Sequence, residues 1–260
     1  MINPPKRLLS QNSELRKVGV WNWTIPAHVV TLTNGERMNC CPNAGSCGRV
    51  CYAKFGAYNF SNVKARHLQN LEYVLYDGDL WESQMLREVR HKRMMYTGKP
   101  HDLPVDPEDT WLRQWVELGG KAVRIHDAGD FYSPEYLMRW INIASKVPHV
   151  LFYAYTKEVA MVIEYQGTMP SNLRIVFSYG GRQDRLINRD KHRHADVFPT
   201  LQALQEAGYF DQSDNDLLAV VAPTNKIGIV ANNLPVANKR FDGRTMSALA
   251  PMRVNEGDVR

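Results

Sequence analysis

The sequence predicts a single α/β protein in which parallel strands alternate with helices. Three observations carry that expectation. From Lys121 onward, runs rich in β-branched and aromatic residues recur at regular intervals: KAVRIHD, HVLFYAY and NLRIVFSY. Segments with apolar residues at helical spacing separate them, and such alternation implies parallel pairing through right-handed crossovers. No long Pro-, Gly- or Ser-rich linker divides the 260 residues, a length that buries a sizeable core without staples.

Taken in order, residues 1–17 read as an irregular arm. Val18 to Leu32 holds two short strands divided by Pro26, and a cysteine-rich loop follows the second directly. Ser61 is placed to cap a helix running to Asp77, with Val63, Leu68, Leu71, Val74 and Leu75 on its inner face. Leu80 to Tyr96 and Pro107 to Leu118 read as further helices, with Gly98 to Pro100 and Asp102 to Pro107 marking the loop between them. After the strand KAVRIHD, Gly129 to Tyr132 turns the chain. Ser133-Pro134 then opens a helix that buries Leu137, Trp140, Ile141 and Ala144. HVLFYAY is a strand, Lys157 to Tyr165 a helix, and NLRIVFSY a strand ending at Gly180-Gly181. Phe198 to Ala207 reads as a helix, Leu217 to Val221 and Ile227 to Val230 as short strands, and residues 232–260 as an extended polar tail. The architecture expected is one (β/α) TIM-like barrel, whole or incomplete, with the cysteine loop after an early strand. In such a barrel, function collects in the loops at the C-terminal ends of the strands.

Composition excludes several classes. Six Trp, twelve Tyr and eight Phe without a low-complexity tract rule out a disordered or fibrous chain. No uninterrupted apolar stretch approaches 18 residues, so no transmembrane helix is expected. The polar N-terminus MINPPKRLLSQNSELRK lacks an apolar signal core, so the expected location is a reducing cytoplasm, where a disulfide framework does not form. The net charge of +5 permits contact with nucleic acid but does not argue for it.

All four cysteines lie between positions 40 and 51, in NCCPNAGSCGRVCYAKFGAY. Structural cysteines would scatter over a core as small hydrophobes. Here they share a loop with Pro42, Gly45 and Gly48, residues that let a backbone wrap tightly. Soft thiolates so gathered suit an iron–sulfur cluster or zinc. Cys41-x5-Cys47-x3-Cys51 supplies three sulfurs. Neighbouring side chains diverge, so Cys40 is a reserve ligand or a packed thiol. Three thiolates on a four-iron cluster leave one iron open, and its loss would give a three-iron form. Structural zinc wants four ligands, commonly in C-x2-C pairs, and that spacing is absent; His67 would have to complete a Cys3His site from a helix beyond the loop.

A three-cysteine loop with an aromatic directly after its last cysteine, Cys51-Tyr52, is similar to that of the radical SAM superfamily, whose loop holds a four-iron cluster with S-adenosylmethionine on the open iron. More closely, CPNAGSCGRVCYA together with RIHDAGDFYSPEYLMRWINIASKVPHVLFYAYTK resembles the phage family known as gene product 88. That resemblance implies a radical-SAM-like barrel with a cluster on Cys41, Cys47 and Cys51, in a host cytoplasm, with no settled reaction. Two departures count against S-adenosylmethionine. The superfamily spacing C-x3-C-x2-C is here C-x5-C-x3-C, and Gly129-Asp130 stands where Gly-Gly-Glu is common.

Other candidates lie at strand ends. His126, Asp127 and Asp130 could move protons, and the bland alternative is that they are hydrogen-bonded core or rim residues. Lys157 could bind a carboxylate or phosphate, or simply open the next helix. Ser178 and Arg182 flank a double glycine whose amides could hold an anion. Lys54, three residues after Cys51, could tune a cluster's charge or be solvated. The basic run Arg87 to Arg93 reads as a solvated face; Arg182 to Arg193 could grip a phosphate backbone, but neither run alternates with aromatics as a single-strand track would, so nucleic acid is not the favoured partner. Three functions follow: an iron–sulfur enzyme acting on a small molecule at an open iron, a non-catalytic iron–sulfur protein with a structural or redox-sensing cluster, and a zinc-stabilised nucleic-acid-binding protein.

Overall fold

The computed structural model describes residues 3–231, 241 and 243–249. Its strands are β1 (Val20–Trp23), β2 (Val29–Thr31), β3 (Arg37–Asn39), β4 (Lys121–Ile125), β5 (Val150–Thr156), β6 (Leu173–Ser178), β7 (His194–Phe198), β8 (Phe210–Asp211) and β9 (Lys226–Val230). Seven of them form one sheet in the order β1-β4-β5-β6-β7-β9-β8, and every pairing in it is parallel. β2 and β3 make a separate antiparallel hairpin. The α/β class is therefore as expected. The terminal strands β1 and β8 are not paired with each other, so the described strands form an open sheet and no closed barrel.

Both faces of the sheet are covered, as a parallel sheet requires, and β5 (VLFYAYT) is accordingly buried almost throughout. On one face Trp23, Val123, Ile125, Phe152, Ala154 and Phe177 pack with residues of the helices Ser61–Tyr76, Gly78–Val89, Pro134–Ser145 and Val159–Tyr165. Trp81, fully buried, anchors this layer with its ring 5.5 Å from Trp23 and 5.2 Å from Trp140. On the opposite face Ala122, Leu151, Val176, Ala195 and Ile227 pack against the helix Thr110–Glu117 and the short helix Leu218–Val221. Pairing register puts Asn22, Arg124, Tyr153 and Arg174 in a row across β1, β4, β5 and β6. By the two-residue alternation of a strand, that row shares its face with Ala122, Leu151 and Val176. The polar row thus crosses this face between Ala122 and Leu151 on one side and Val176 on the other.

Local chemistry sets the helix starts. The Ser133 hydroxyl accepts the Tyr136 N–H at 3.2 Å, and Pro134 occupies the first turn, where its missing N–H costs nothing. The helix Ser61–Tyr76, however, is preceded by Phe60 and has no side-chain cap, so Ser61 is its first residue rather than its cap.

Other segments depart from expectation. The first seventeen residues are not an irregular arm: Ser10 bridges Asn22 in antiparallel fashion, a helix spans Ser13–Lys17, and the Leu8 and Leu9 amides donate to the Glu88 carboxylate at 2.6 and 3.2 Å. They cover the edge of β1, which would otherwise offer unpaired backbone groups. β3 was not foreseen, so the cysteine loop follows a hairpin rather than a strand of the main sheet. The helix expected over 80–96 ends at Val89, followed by a 3-10 turn at Lys92–Met94. HADVF is β7, and the helix after it starts at Leu201, where the Thr200 side chain accepts the Ala203 N–H at 3.1 Å. Leu218–Val221 is helical, not a strand: a short apolar run fits either periodicity, and Asn215 turns the chain ahead of the helix by accepting the Leu217 N–H at 3.0 Å. The tail expected over 232–260 lies largely outside the described residues, but Phe241 and Met246 are buried.

Candidate functional site

Parallel strands deliver their following loops to one edge of a sheet. Here the loops after β4, β5 and β6 all meet the cysteine loop. Asp130, after β4, donates its backbone N–H to the Cys40 carbonyl at 2.9 Å. Glu158, after β5, accepts the Asn43 backbone N–H at 2.9 Å and Asn43 Nδ2 at 2.5 Å. After β6, the Gly180 carbonyl accepts the N–H groups of Gly45 and Cys47 at 3.0 and 3.1 Å, and the Arg182 N–H reaches the Asn43 carbonyl at 2.9 Å. Gly180 has a φ of +97°, and a Cβ there would sit 3.1 Å from Cys47 Cβ.

Cys40 is fully buried in the core, where burial pushes its thiol up to about 12. It is the packed thiol of the pair. Cys41, Cys47 and Cys51 are half-buried. Burial, then the charge of Asp130, pushes the Cys41 thiol well above its ordinary value, and Cys40 and Cys47 add to the push. Burial likewise raises Cys51, with Cys47 adding and Lys157 and Lys54 opposing. Burial disfavours the Lys157 ammonium, yet Cys47, Asp130, Cys41 and Asp184 together hold its pKa above the ordinary lysine value. Its Nζ donates to Ser178 Oγ at 3.1 Å. Asp130 fixes the same corner, accepting Thr156 Oγ1 at 2.6 Å and the Lys157 N–H at 2.9 Å. Cys41, Cys47, Cys51, Asp130, Lys157 and Ser178 therefore form one constellation.

Three contributors were not foreseen. His28 takes the left-handed conformation, with a φ of 61°, and its N–H points to Cys41 Sγ at 3.4 Å. Burial, with Lys54 and Lys157 nearby, lowers its pKa to about 4, and its buried Nε2 has no protein partner. Nothing in AHVV signals this, because it depends on the hairpin that folds His28 onto the loop. Glu158 and Asp184 were missed as well. Burial and the charge of Asp130 raise Glu158 to about 7. Asp184 accepts the N–H groups of both Gly180 and Gly181 at 2.8 Å, so the amides of the double glycine already hold an internal carboxylate.

His126 and Asp127 belong to other surroundings. The Tyr58 hydroxyl donates to the Asp127 carboxylate, the Tyr52 hydroxyl to the Asp127 carbonyl, and Arg124 lies 3.8 Å from Asp127. His126 is caged by Phe131 and Tyr136, with Nε2 2.9 Å from the Tyr136 hydroxyl, and burial lowers its pKa to about 3. A group whose folded pKa is depressed below its unfolded value of about 6.5 costs stability as pH falls, because the unfolded chain takes up the proton first. At pH 5 the His126 contribution should amount to about 2 kcal/mol relative to neutral pH. Urea unfolding at pH 7 and pH 5 should show that His126→Gln reduces this pH dependence, whatever it costs at pH 7. An unchanged difference would place the acid sensitivity elsewhere.

The basic segments are partly committed within the fold. Arg193 donates to the carbonyls of Ala219 and Ala222 at 3.2 and 2.9 Å, Arg189 Nε donates to the Tyr179 hydroxyl at 3.0 Å, and Arg93 pairs with Glu88 at 3.1 Å. His67 lies beside Tyr58, ring centres 6.0 Å apart. Among the described residues no three His, Cys, Asp or Glu side chains converge as a single bound ion requires. Among those residues, also, no helix is long and apolar enough to cross a membrane.

A family model described as Gene product 88 matches residues 6–245, nearly the whole of this architecture including the cysteine loop. The chain belongs to the Gene product 88 family. It is 28% identical over 152 residues to the Gene 88 protein of Mycobacterium phage D29 and 26% identical over 152 residues to that of Mycobacterium phage L5. Each match covers 58% of this Gene product 88 chain and 56% of the relative, so the chain spans just over half the length of the curated relatives it matches. No solved structure matches it.

Proposed function

We propose that this chain is an iron–sulfur protein whose cluster sits on Cys41, Cys47 and Cys51, and that it acts on a small molecule at the open iron. The observation that carries the reading is the seat of the three cysteines. They are half-buried at the C-terminal edge of a parallel sheet, locked to the loops after β4, β5 and β6, beside the half-buried Lys157. We read the open sheet as an incomplete (β/α) barrel of the radical-SAM-like kind. The donor set fits the group: soft thiols share one loop, and a multi-iron cluster takes its sulfurs at separate corners, so it does not need the convergence that tetrahedral zinc demands. When bound, a cluster with an open iron supplies Lewis-acid coordination or electron transfer.

The chain's own residues have definable parts. Lys157 offsets the negative charge of the three thiolates, which favours losing the thiol protons that ligation expels. The His28 N–H is directed at the Cys41 sulfur, a bond of the kind that tunes iron–sulfur centres. Asp130 positions Lys157 by accepting its backbone N–H, and burial raises the Asp130 carboxyl above the ordinary aspartate value. Cys40 anchors the start of the loop in the core and takes no part in ligation.

The test is anaerobic purification followed by iron, sulfide and zinc analysis and EPR. Roughly three to four irons per chain with matching acid-labile sulfide are expected. Alanine at Cys41, Cys47 or Cys51 should abolish both the colour and the EPR signal, whereas Cys40→Ala should keep them. Zinc without sulfide would overturn the reading, and bleaching by Cys40→Ala alone would overturn the ligand assignment.

A further inference from the structure

After the sheet, the chain returns to the cysteine loop. Residues 245–249 form a compact turn: the Ala248 and Leu249 N–H groups donate to the Thr245 and Met246 carbonyls at 3.2 Å each, and the Thr245 and Ser247 hydroxyls lie 3.0 Å apart. This turn is fixed at two points. At the first it is bonded to β7. The Met246 N–H donates to the Val197 carbonyl at 3.0 Å, the Ser247 N–H to one oxygen of the Asp196 carboxylate at 3.1 Å, and the Ser247 hydroxyl to the other oxygen. At the second, Met246 lies against Gly180. A Cβ on Gly180 would fall 2.7 Å from Met246 Cγ and 2.8 Å from its Sδ, and the Ser46 hydroxyl meets the same thioether at 3.9 Å. Met246 and Ser46 are 7% and 3% exposed, so the contact is a packed one.

Gly180 is the residue whose carbonyl accepts the Gly45 and Cys47 N–H groups. Met246 therefore touches both partners of the joint that seats Cys47: Gly180, and Ser46 directly before the cysteine. A thioether is a weak acceptor and does not fix a turn by itself. The carboxylate does. Asp196 is 3% exposed, and a buried carboxylate loses much when its donors leave, so the sheet itself supplies a group that requires the turn in place. Two bonds from one serine to both oxygens of that carboxylate also set the register, which apolar contact alone would let slide. We infer that residues 245–249 are a strap that positions Cys47, with Ser247 latching it to Asp196 and Met246 pressing on the Gly180 joint. The inference concerns the seat of the thiol and stands whether or not the cysteines hold a cluster.

Thiol labelling of the full-length apo chain, read cysteine by cysteine by mass spectrometry, tests the assignment. Ser247→Ala should speed the labelling of Cys47 roughly tenfold, the change expected when a hydrogen bond to a charged group no longer holds a local opening shut. Met246→Ala should speed it as well. Ser247→Thr, which keeps the hydroxyl, and Met246→Leu, which keeps the bulk, should return the slow rate. Cys40, fully buried in the core, should keep its rate in every variant and so reports any general loosening. Cys47 labelling unchanged in both alanine variants overturns the proposal. So does an increase that Cys40 shares equally, which would make the turn a part of overall stability alone, or a fast rate that neither conservative variant restores.

Discussion

Arg124→Met should lower the stability of the chain by about 3–5 kcal/mol, the cost expected when one partner of a buried ion pair is removed. Arg124 projects from β4, the strand next to the edge strand β1, and pairs with Asp216 at 3.3 Å, with both side chains less than a fifth exposed. Its guanidinium also lies 5.4 Å over the Tyr155 ring. Burial alone would depress its pKa, but Asp216, followed by Tyr52 and Asp127, holds it well above the ordinary arginine value. Around the pair the Tyr153 hydroxyl donates to Asp216, and the Tyr155 hydroxyl donates to Gln212 at 2.6 Å. Methionine fills a similar volume but leaves the Asp216 carboxylate buried with only neutral donors. Urea denaturation at pH 7 measures the loss. Adding Asp216→Asn to the variant should restore a good part of it, because the stranded charge is then gone. A loss below about 1 kcal/mol would mean that the pair behaves as a solvent-screened surface bridge.

That network bears on function because it is continuous with the cysteine loop. Tyr52 follows Cys51 directly and donates to the Asp127 carbonyl, and Asp127 faces Arg124. A change in the position of Cys51 is therefore linked through two residues to the polar row on the sheet. The Arg124 double variant gives a way to read this coupling: metal content should respond if the row supports the loop, in addition to any change in unfolding.

The sequence made the parallel strands legible wherever an apolar run was long and bounded by turn residues. KAVRI, VLFYAYT and LRIVFS each stand between recognisable breakers, and each is a strand of the sheet. The segments misread are short or locally polar. HADVF follows a basic loop and has no long apolar run, and the stretch ending in Val221 fits helix or strand equally until Asn215 is seen turning the chain ahead of it. The cysteine loop was legible because four cysteines in twelve positions are hard to explain as core. Its supports were not. Glu158 holds Asn43 from 115 residues away, Asp184 fills the double glycine's amides, and His28 arrives by way of a hairpin. Each depends on strand order, which periodicity does not encode. Phe241 and Met246 pack into the core from a tail whose composition reads as polar.

Gly45→Ala should detach the cysteine loop while leaving the sheet intact. A Cβ on Gly45 would lie 2.8 Å from the Gly180 carbonyl oxygen and 2.9 Å from the Gly181 carbonyl carbon, distances that real Cβ contacts do not show. Both obstacles are backbone, and that backbone is itself pinned: Asp184 holds the Gly180 and Gly181 amides at 2.8 Å, and Ala44 bridges Gly181. The neighbour cannot swing aside as a side-chain tip would, so the loop must move, breaking the Gly45 and Cys47 bonds to the Gly180 carbonyl. Cys47 would then leave its place beside Lys157. Supporting contacts around metal ligands are typically worth 10–100-fold in affinity, so iron retained per chain after a chelator challenge should fall on the order of 10-fold or more. The seven-stranded sheet lies outside the disturbed loop, so far-ultraviolet circular dichroism should stay as in the unaltered chain. Thiol labelling of the apo chain gives a second readout that needs no metal: Cys41 and Cys47 should react faster once the loop is free, while Cys40, buried in the core, should not. Unchanged labelling rates together with unchanged iron retention would show that the loop tolerates the methyl group, and that its docking on Gly180 does not position the sulfurs.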